Sequence, residues 1–149
     1  MKIIMKLLRL KIIISLCVLL IPSLVYAQAN TLSNITVYTS IGLDTLDSFK
    51  HQDKIHAFKC QAIRLGINNG INQLVKNVVH KQRPDGSDNK SFYSNHTSNA
   101  FVSSGWNYSV GITLGITTGA LRIVAKKHDW IDVSVGAITG LIIQQVCDK

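Results

Sequence analysis

An all-α fold, a compact bundle of about five helices with its site between helices near one end, is what this sequence predicts, and three observations carry that reading. Apolar residues recur at threes and fours from Ile55 to Val78, the period of a helix face. Glycine recurs every fourth residue in two later segments, as Gly111, Gly115 and Gly119 and again as Gly136 and Gly140. No stretch alternates with the period of a strand, and no internal repeat is present.

The elements follow in chain order. Lys2, Lys6, Arg9 and Lys11 open the chain, an apolar run follows from Ile12 to Val25, and Val25-Tyr26-Ala27 precedes Gln28. This three-part shape predicts a cleaved secretory signal over residues 1–27, with a mature start at Gln28, or at Asn30 after Ala29. The run is short for a membrane span, and Pro22 is expected to interrupt it; an uncleaved anchor is the alternative. Residues 31–49 suit a separate short helix. Ile55, Phe58, Ala62 and Leu65, with Ile63, Ile67, Ile71, Leu74 and Val78, predict an amphipathic or largely buried helix from about Asp53 to His80, stopped before Pro84. Residues 84–95 are dense in turn formers and make a loop. Helices are then expected over His96–Ser103, Ser109–Ala125 and Ile131–Val146. Glycine costs about 1 kcal/mol against alanine inside a helix, so stripes of it imply helix backbones in close approach.

The chain's 149 residues and 46% apolar content fit one domain, a helical one over residues 28–149. The formal charge of +8 overstates the body's basicity. Of the 16 basic residues four lie in the first eleven positions, leaving 12 against 8 acidic ones, or +4. That balance is too small to argue for nucleic acid as a partner. Cys17 lies in the leader, so Cys60 and Cys147 remain. Export permits a bridge between them, but two buried thiols acting as small apolar residues are the favoured expectation. No paired ligand spacing points to a metal.

The chemistry lies between Lys76 and Asp132. This stretch presents Lys76, then Arg83-Pro84, Ser94-Asn95-His96-Thr97, Arg122, His128 and Asp132, an order suited to phosphoryl transfer. His128 and Asp132 are four residues apart and share a helix face. Asp132 is therefore placed to hold one nitrogen of the His128 ring while the other attacks, the arrangement of an activated nucleophile.

Lys76-x6-Arg83-Pro84, then Ser91-Phe-Tyr-Ser-Asn-His-Thr-Ser-Asn-Ala-Phe101, then Arg122-x5-His128-x3-Asp132 resembles the three-part signature of the type 2 phosphatidic acid phosphatase superfamily, to which vanadium haloperoxidases are similar. The family pattern is Lys-x6-Arg-Pro, Pro-Ser-Gly-His and Ser-Arg-x5-His-x3-Asp; Tyr93, Asn95 and Leu121 depart from it. The resemblance covers roughly residues 55–146. It implies that His128 becomes a phosphohistidine, that Asp132 orients it, and that His96 protonates the leaving oxygen and then activates water. It implies that Lys76, Arg83 and Arg122, with Ser94 and Asn95 on the loop, cradle the phosphate, with neither a metal nor another cofactor. The expected function is an exported, metal-independent phosphatase, periplasmic or on the periplasmic face of a membrane. Its expected partner is a phosphorylated lipid or small phosphate ester, with membrane surface contact allowed. The alternatives are a vanadate-dependent haloperoxidase and a non-catalytic phosphate-binding envelope protein. The loop from Asp85 to Lys90, with Tyr93, Trp106 and Tyr108, is expected to set head-group preference.

Overall fold

The computed structural model describes residues 2–147, with side chains from residue 22 onward. Among the described residues there are five helices, in chain order α1 (Lys2–Ser48), α2 (Lys54–Val78), α3 (Asn95–Val102), α4 (Tyr108–Val124) and α5 (Trp130–Gln144). No strand occurs among the described residues. The all-α expectation holds, and α2 to α5 fall within a few residues of their expected limits.

The first helix corrects one part of the sequence reading: the segment expected as a separate short helix over residues 31–49 belongs to α1, which is continuous through Pro22. Its later turns lie against α4, α3 and α2. Tertiary packing of this kind supplies most helix stability, and it outweighs a single unfavourable residue. Both expected cleavage points, after Ala27 and after Ala29, fall inside this helix.

Caps set the other boundaries. Asp53 accepts from the His56 amide at 2.9 Å and starts α2. Asn107 does the same for Val110 at 3.1 Å and starts α4. Asp129 and Asp132 cap α5 reciprocally.

The glycine stripes do what their spacing implies. α3, eight residues long, lies in the trough between α4 and α5. A Cβ at Gly115 would stand 2.8 Å from the Phe101 ring, and one at Gly136 would stand 2.7 Å from the Ser94 carbonyl oxygen. Only glycine lets these backbones meet.

The polarity of the interior is the larger surprise. On α2 the apolar residues Ile63, Ile67, Ile71, Leu74 and Val78 face outward, whereas Gln61, Arg64, Asn68 and Asn72 are buried. The expected apolar packing face is thus the exposed one. Hydrogen bonds explain why a polar face can go inside: Asn68 donates to Asn99 at 2.7 Å, Ser98 to Asn68 at 2.5 Å, and Asn72 to the Tyr93 carbonyl at 2.9 Å. Arg64 and Asp44 form a buried ion pair at 3.6 Å that links α1 to α2. No described helix is long and apolar enough to cross a membrane.

Cys60 and Cys147 form a disulfide, with Cα atoms 5.3 Å apart, rather than the separate thiols expected. The bridge closes α2 onto the end of α5. No sequence signal could decide this, because pairing depends on whether two Cα atoms 87 positions apart come within reach.

Candidate active site

Four helix ends converge at one end of the bundle. The last turn of α2 carries Lys76, the first turn of α3 carries His96, the last turn of α4 carries Arg122, and His128 and Asp132 sit at the start of α5. The α4–α5 turn brings the backbones of Arg122 and His128 together. Lys126 adopts a positive φ of 55°, which ends α4, and the amides of Lys127 and His128 turn back to the Arg122 carbonyl at 3.1 and 3.4 Å. The loop after α2 is tied to the same turn by a 2.5 Å ion pair between Asp85 and Lys127. Its own fold presents Arg83, whose Nε donates to Asp88 Oδ1 at 2.7 Å.

His128 and Asp132 lie together, but not on one helix face as expected, because His128 precedes the α5 N-cap Asp129 and meets Asp132 across the start of the helix. Nδ1 of His128 lies 3.6 Å from Asp132 Oδ2, an ion-pair distance longer than a hydrogen bond, and both side chains are buried. Asp132 is fixed from several sides at once. Lys81 Nζ donates to its Oδ1 at 2.7 Å, and the Ser91 hydroxyl and the Asp129 amide donate to its Oδ2. Burial would push this carboxyl up. The neighbouring His128 ring, with the Lys81 and Ser91 donors, outweighs burial and holds it well below the usual carboxylate range. Lys81 also pairs with Asp129 at 2.6 Å.

The cations are near enough to depress one another's protonation. Lys76 is lowered to about 8, first by burial and then by Arg83 and Arg122, with Asp88 and Asp132 opposing. Arg122 is lowered to about 10 by burial and Arg83. His96 is lowered to about 3 by burial, then by Arg122, His128, Lys76 and Arg83. His128 is lowered as well, chiefly by burial, with Arg122, Arg83 and Lys76 adding and Asp132 opposing. Both imidazoles are therefore neutral near pH 7 in the unliganded protein, facing a concentration of positive charge.

Ser94 and Asn95 stand differently from the cations. The Ser94 hydroxyl caps α3, 2.9 Å from Thr97 Oγ1, and the Asn95 amide donates to Asn69 Oδ1 at 2.8 Å. Their side-chain contacts run within α3 and toward α2. Tyr93 is 2% exposed and belongs to the core. Trp106 and Tyr108 lie at the start of α4, and Tyr108 is about 21 Å along that helix from Arg122 at 1.5 Å per residue. These aromatics are too far away to select a head group.

Sequence reasoning missed the part played by α1. Asn30 accepts from Arg122 Nη1 at 2.6 Å, Ser33 lies 3.4 Å from the same nitrogen, and Asn34 Oδ1 is 2.9 Å from His96 Nε2. Lys81, Ser91 and Asp88 were also missed. An Asn, Ser or Lys in a polar segment carries no signal of its partner at long separation. At the far end of the bundle His56, Cys60 and Cys147 bring potential metal-ligand atoms within 4.8 Å of one another, with both sulfurs joined in the disulfide. Comparison of the chain with protein families, with curated proteins and with solved structures finds no match.

Proposed function

We propose that this protein is a metal-independent phosphatase, related to the type 2 phosphatidic acid phosphatases, that hydrolyses phosphate monoesters or diphosphates through a phosphohistidine. What supports the reading is that the helix ends bearing Lys76, His96, Arg122 and His128 converge, with a fixed carboxylate 3.6 Å from one imidazole. Such a convergence is complementary to a phosphate dianion, which relieves the repulsion among the cations as it binds.

The steps follow from the groups present. Asp132 engages Nδ1 of His128, so Nε2 carries the lone pair that attacks phosphorus while the bond to the leaving oxygen breaks. The dianion offsets the cations that, after burial, keep His96 neutral, so near and below pH 7 His96 takes up a proton in the complex and gives it to the departing alkoxide. With Nε2–H donating to Asn34 Oδ1, the mobile proton is carried at Nδ1. In the second step neutral His96 accepts a proton from water as its oxygen attacks phosphorus and the P–N bond breaks, releasing orthophosphate. Lys76, Arg83 and Arg122 stabilise the non-bridging oxygens throughout.

The outward apolar side chains of α2, α4 and α5 support a lipid-borne substrate presented at a membrane surface. The basic-then-apolar amino terminus supports action outside the cytoplasm. A second reading, phosphate binding without turnover, draws on the Ser94 hydroxyl being spent on the α3 cap. One experiment separates the two. The full chain, purified in detergent, is offered lipid phosphates and a chromogenic phosphate ester, and acid quench is used to trap labelled protein. Phosphate release lost in His128→Ala and His96→Ala, with label trapped in wild type, supports the phosphatase. Phosphate binding with no release supports the second reading, and release that survives His128→Ala overturns the assigned nucleophile.

A further inference from the structure

We infer that His56, Cys60 and Cys147 form a redox-gated zinc site: when the disulfide is reduced, one Zn²⁺ takes the place of the bond and clasps α2 to the chain after α5. The inference is independent of the phosphatase reading. Cys60 lies about 24 Å along α2 from Lys76 at 1.5 Å per residue, so the metal takes no part in the chemistry proposed there.

Two of the ligands come already paired. His56 and Cys60 are four residues apart near the start of α2 and share a face of the helix. His56 Nε2 stands 3.5 Å from Cys60 Sγ. A tetrahedral zinc ion, with bonds of about 2.3 Å to sulfur and about 2.0–2.1 Å to nitrogen, separates two such atoms by about 3.5 Å. That edge of the site is therefore at its metal-bound length before any metal arrives. Cys147 brings the third ligand atom, and all three lie within 4.8 Å of one another. It comes from 87 positions away, which is why spacing along the sequence does not reveal the set.

What must change is the distance between the sulfurs. Two sulfurs on one tetrahedral zinc stand about 3.8 Å apart, against about 2.0 Å in a disulfide, so one of them moves by about 2 Å. Cys60 is buried within α2, whereas Cys147 is partly exposed and follows α5 on a turn beyond its last residue, Gln144. Cys147 can make that move while α5 stays intact. The His56 ring is exposed beside it, which gives reductant and metal a way in from that side although Cys60 is buried.

The steps balance. One thiolate of a dithiol reductant attacks Cys147 Sγ, and the electron pair of the disulfide bond leaves on Cys60 Sγ. The second sulfur of the dithiol then closes a disulfide with the first and releases Cys147, and the dithiol's two protons pass to the cysteines. Zinc displaces those two protons as it binds. Two thiolates cancel the charge of the ion, so the half-buried site carries none. Thiolate with imidazole suits zinc, whereas magnesium and calcium take oxygen ligands. The fourth position opens to solvent beside His56.

The test titrates the full chain in detergent with zinc alone, oxidised and after reduction by a phosphine, which leaves no competing thiolate when it is oxidised to its oxide. The reduced protein should take up one zinc ion with a Kd at or below about 10⁻⁷ M, the weak end of structural zinc sites, and the oxidised protein should take up none in that range. Cobalt in place of zinc should give thiolate-to-metal charge-transfer absorption in the reduced protein alone. His56→Ala should weaken uptake by about a hundredfold or more, since even an outer partner of a metal ligand is worth that much. Its ring is exposed and the Asp53 cap uses its backbone amide, so the fold is not at risk. His51→Ala, at a residue that lines a small cavity with Cys147, should leave uptake unchanged. One equivalent of zinc should restore most of the urea midpoint that reduction removes, and a chelator should remove it again. No uptake by the reduced protein, or equal uptake by the oxidised one, overturns the inference. So does uptake untouched by His56→Ala or lost with His51→Ala instead, and so does a midpoint that zinc leaves where reduction put it.

Discussion

Lys76 gives the sharpest handle on whether the cations share one anion. Burial, Arg83 and Arg122 lower its pKa from 10.5 to about 8. Its charge is then about nine-tenths present at pH 7 and about one-tenth present at pH 9, whereas an unperturbed lysine stays charged across that range. A phosphate dianion favours the charged form, so above pH 8 binding must take up one proton. Orthophosphate affinity should accordingly fall about tenfold between pH 8.5 and 9.5, the linkage expected of one titrating group. The assay is calorimetric titration of orthophosphate in buffers of different ionisation enthalpy, which counts the protons taken up. Wild type should take up close to one at pH 9. Lys76→Met should bind more weakly, take up none there, and show a flat affinity through pH 9, since Arg122 at about 10 remains charged. The stability sign is opposite in sense. With the folded pKa below the unfolded one, the unfolded chain holds the extra proton between about 8 and 10.5, so this group makes the fold more stable as pH rises through that window. A wild-type affinity that stays level from pH 7 to 9.5 would refute the shared-anion geometry.

Other expectations test the frame around the site. Asp132→Asn removes the charge that faces His128 and Lys81, and kcat should fall by about a hundredfold to ten-thousandfold with KM changed far less, read from phosphate release. Gly136→Ala puts a Cβ 2.7 Å from the Ser94 carbonyl and must displace α3 with His96, so urea melts should show a loss of about 1–3 kcal/mol and activity should drop. Gly66→Ala, where no atom lies within 4 Å, should instead stabilise by up to about 1 kcal/mol and leave activity alone. Replacing Cys60 and Cys147 by serine opens a link across 87 positions and should cost about 4–5 kcal/mol in chemical denaturation on the chain-entropy account. Cys60 lies about 24 Å along α2 from Lys76 at 1.5 Å per residue, so kcat below the melting transition should hold.

The sequence by itself determined what depends on short separations. Helical periodicity marked α2, turn residues marked the loop before α3, and every-fourth glycine marked where α4 and α5 admit another backbone, because each is a rule about residues within a few positions. His128 and Asp132 were likewise near in sequence, although the turn before the α5 cap, and not a shared helix face, brings them together. Tertiary structure alone decided the rest. Asn30 on Arg122 spans 92 positions, Asn34 on His96 spans 62, and Lys81 on Asp132 spans 51. No local rule reaches so far, and asparagine or lysine is common enough in polar segments to carry no mark of its partner. Periodicity likewise told that α2 has two faces without telling which one goes inside. The polar face is buried here because Asn68, Asn72 and Arg64 find partners on other elements, and the worth of a buried polar group is set by whether that partner is in place.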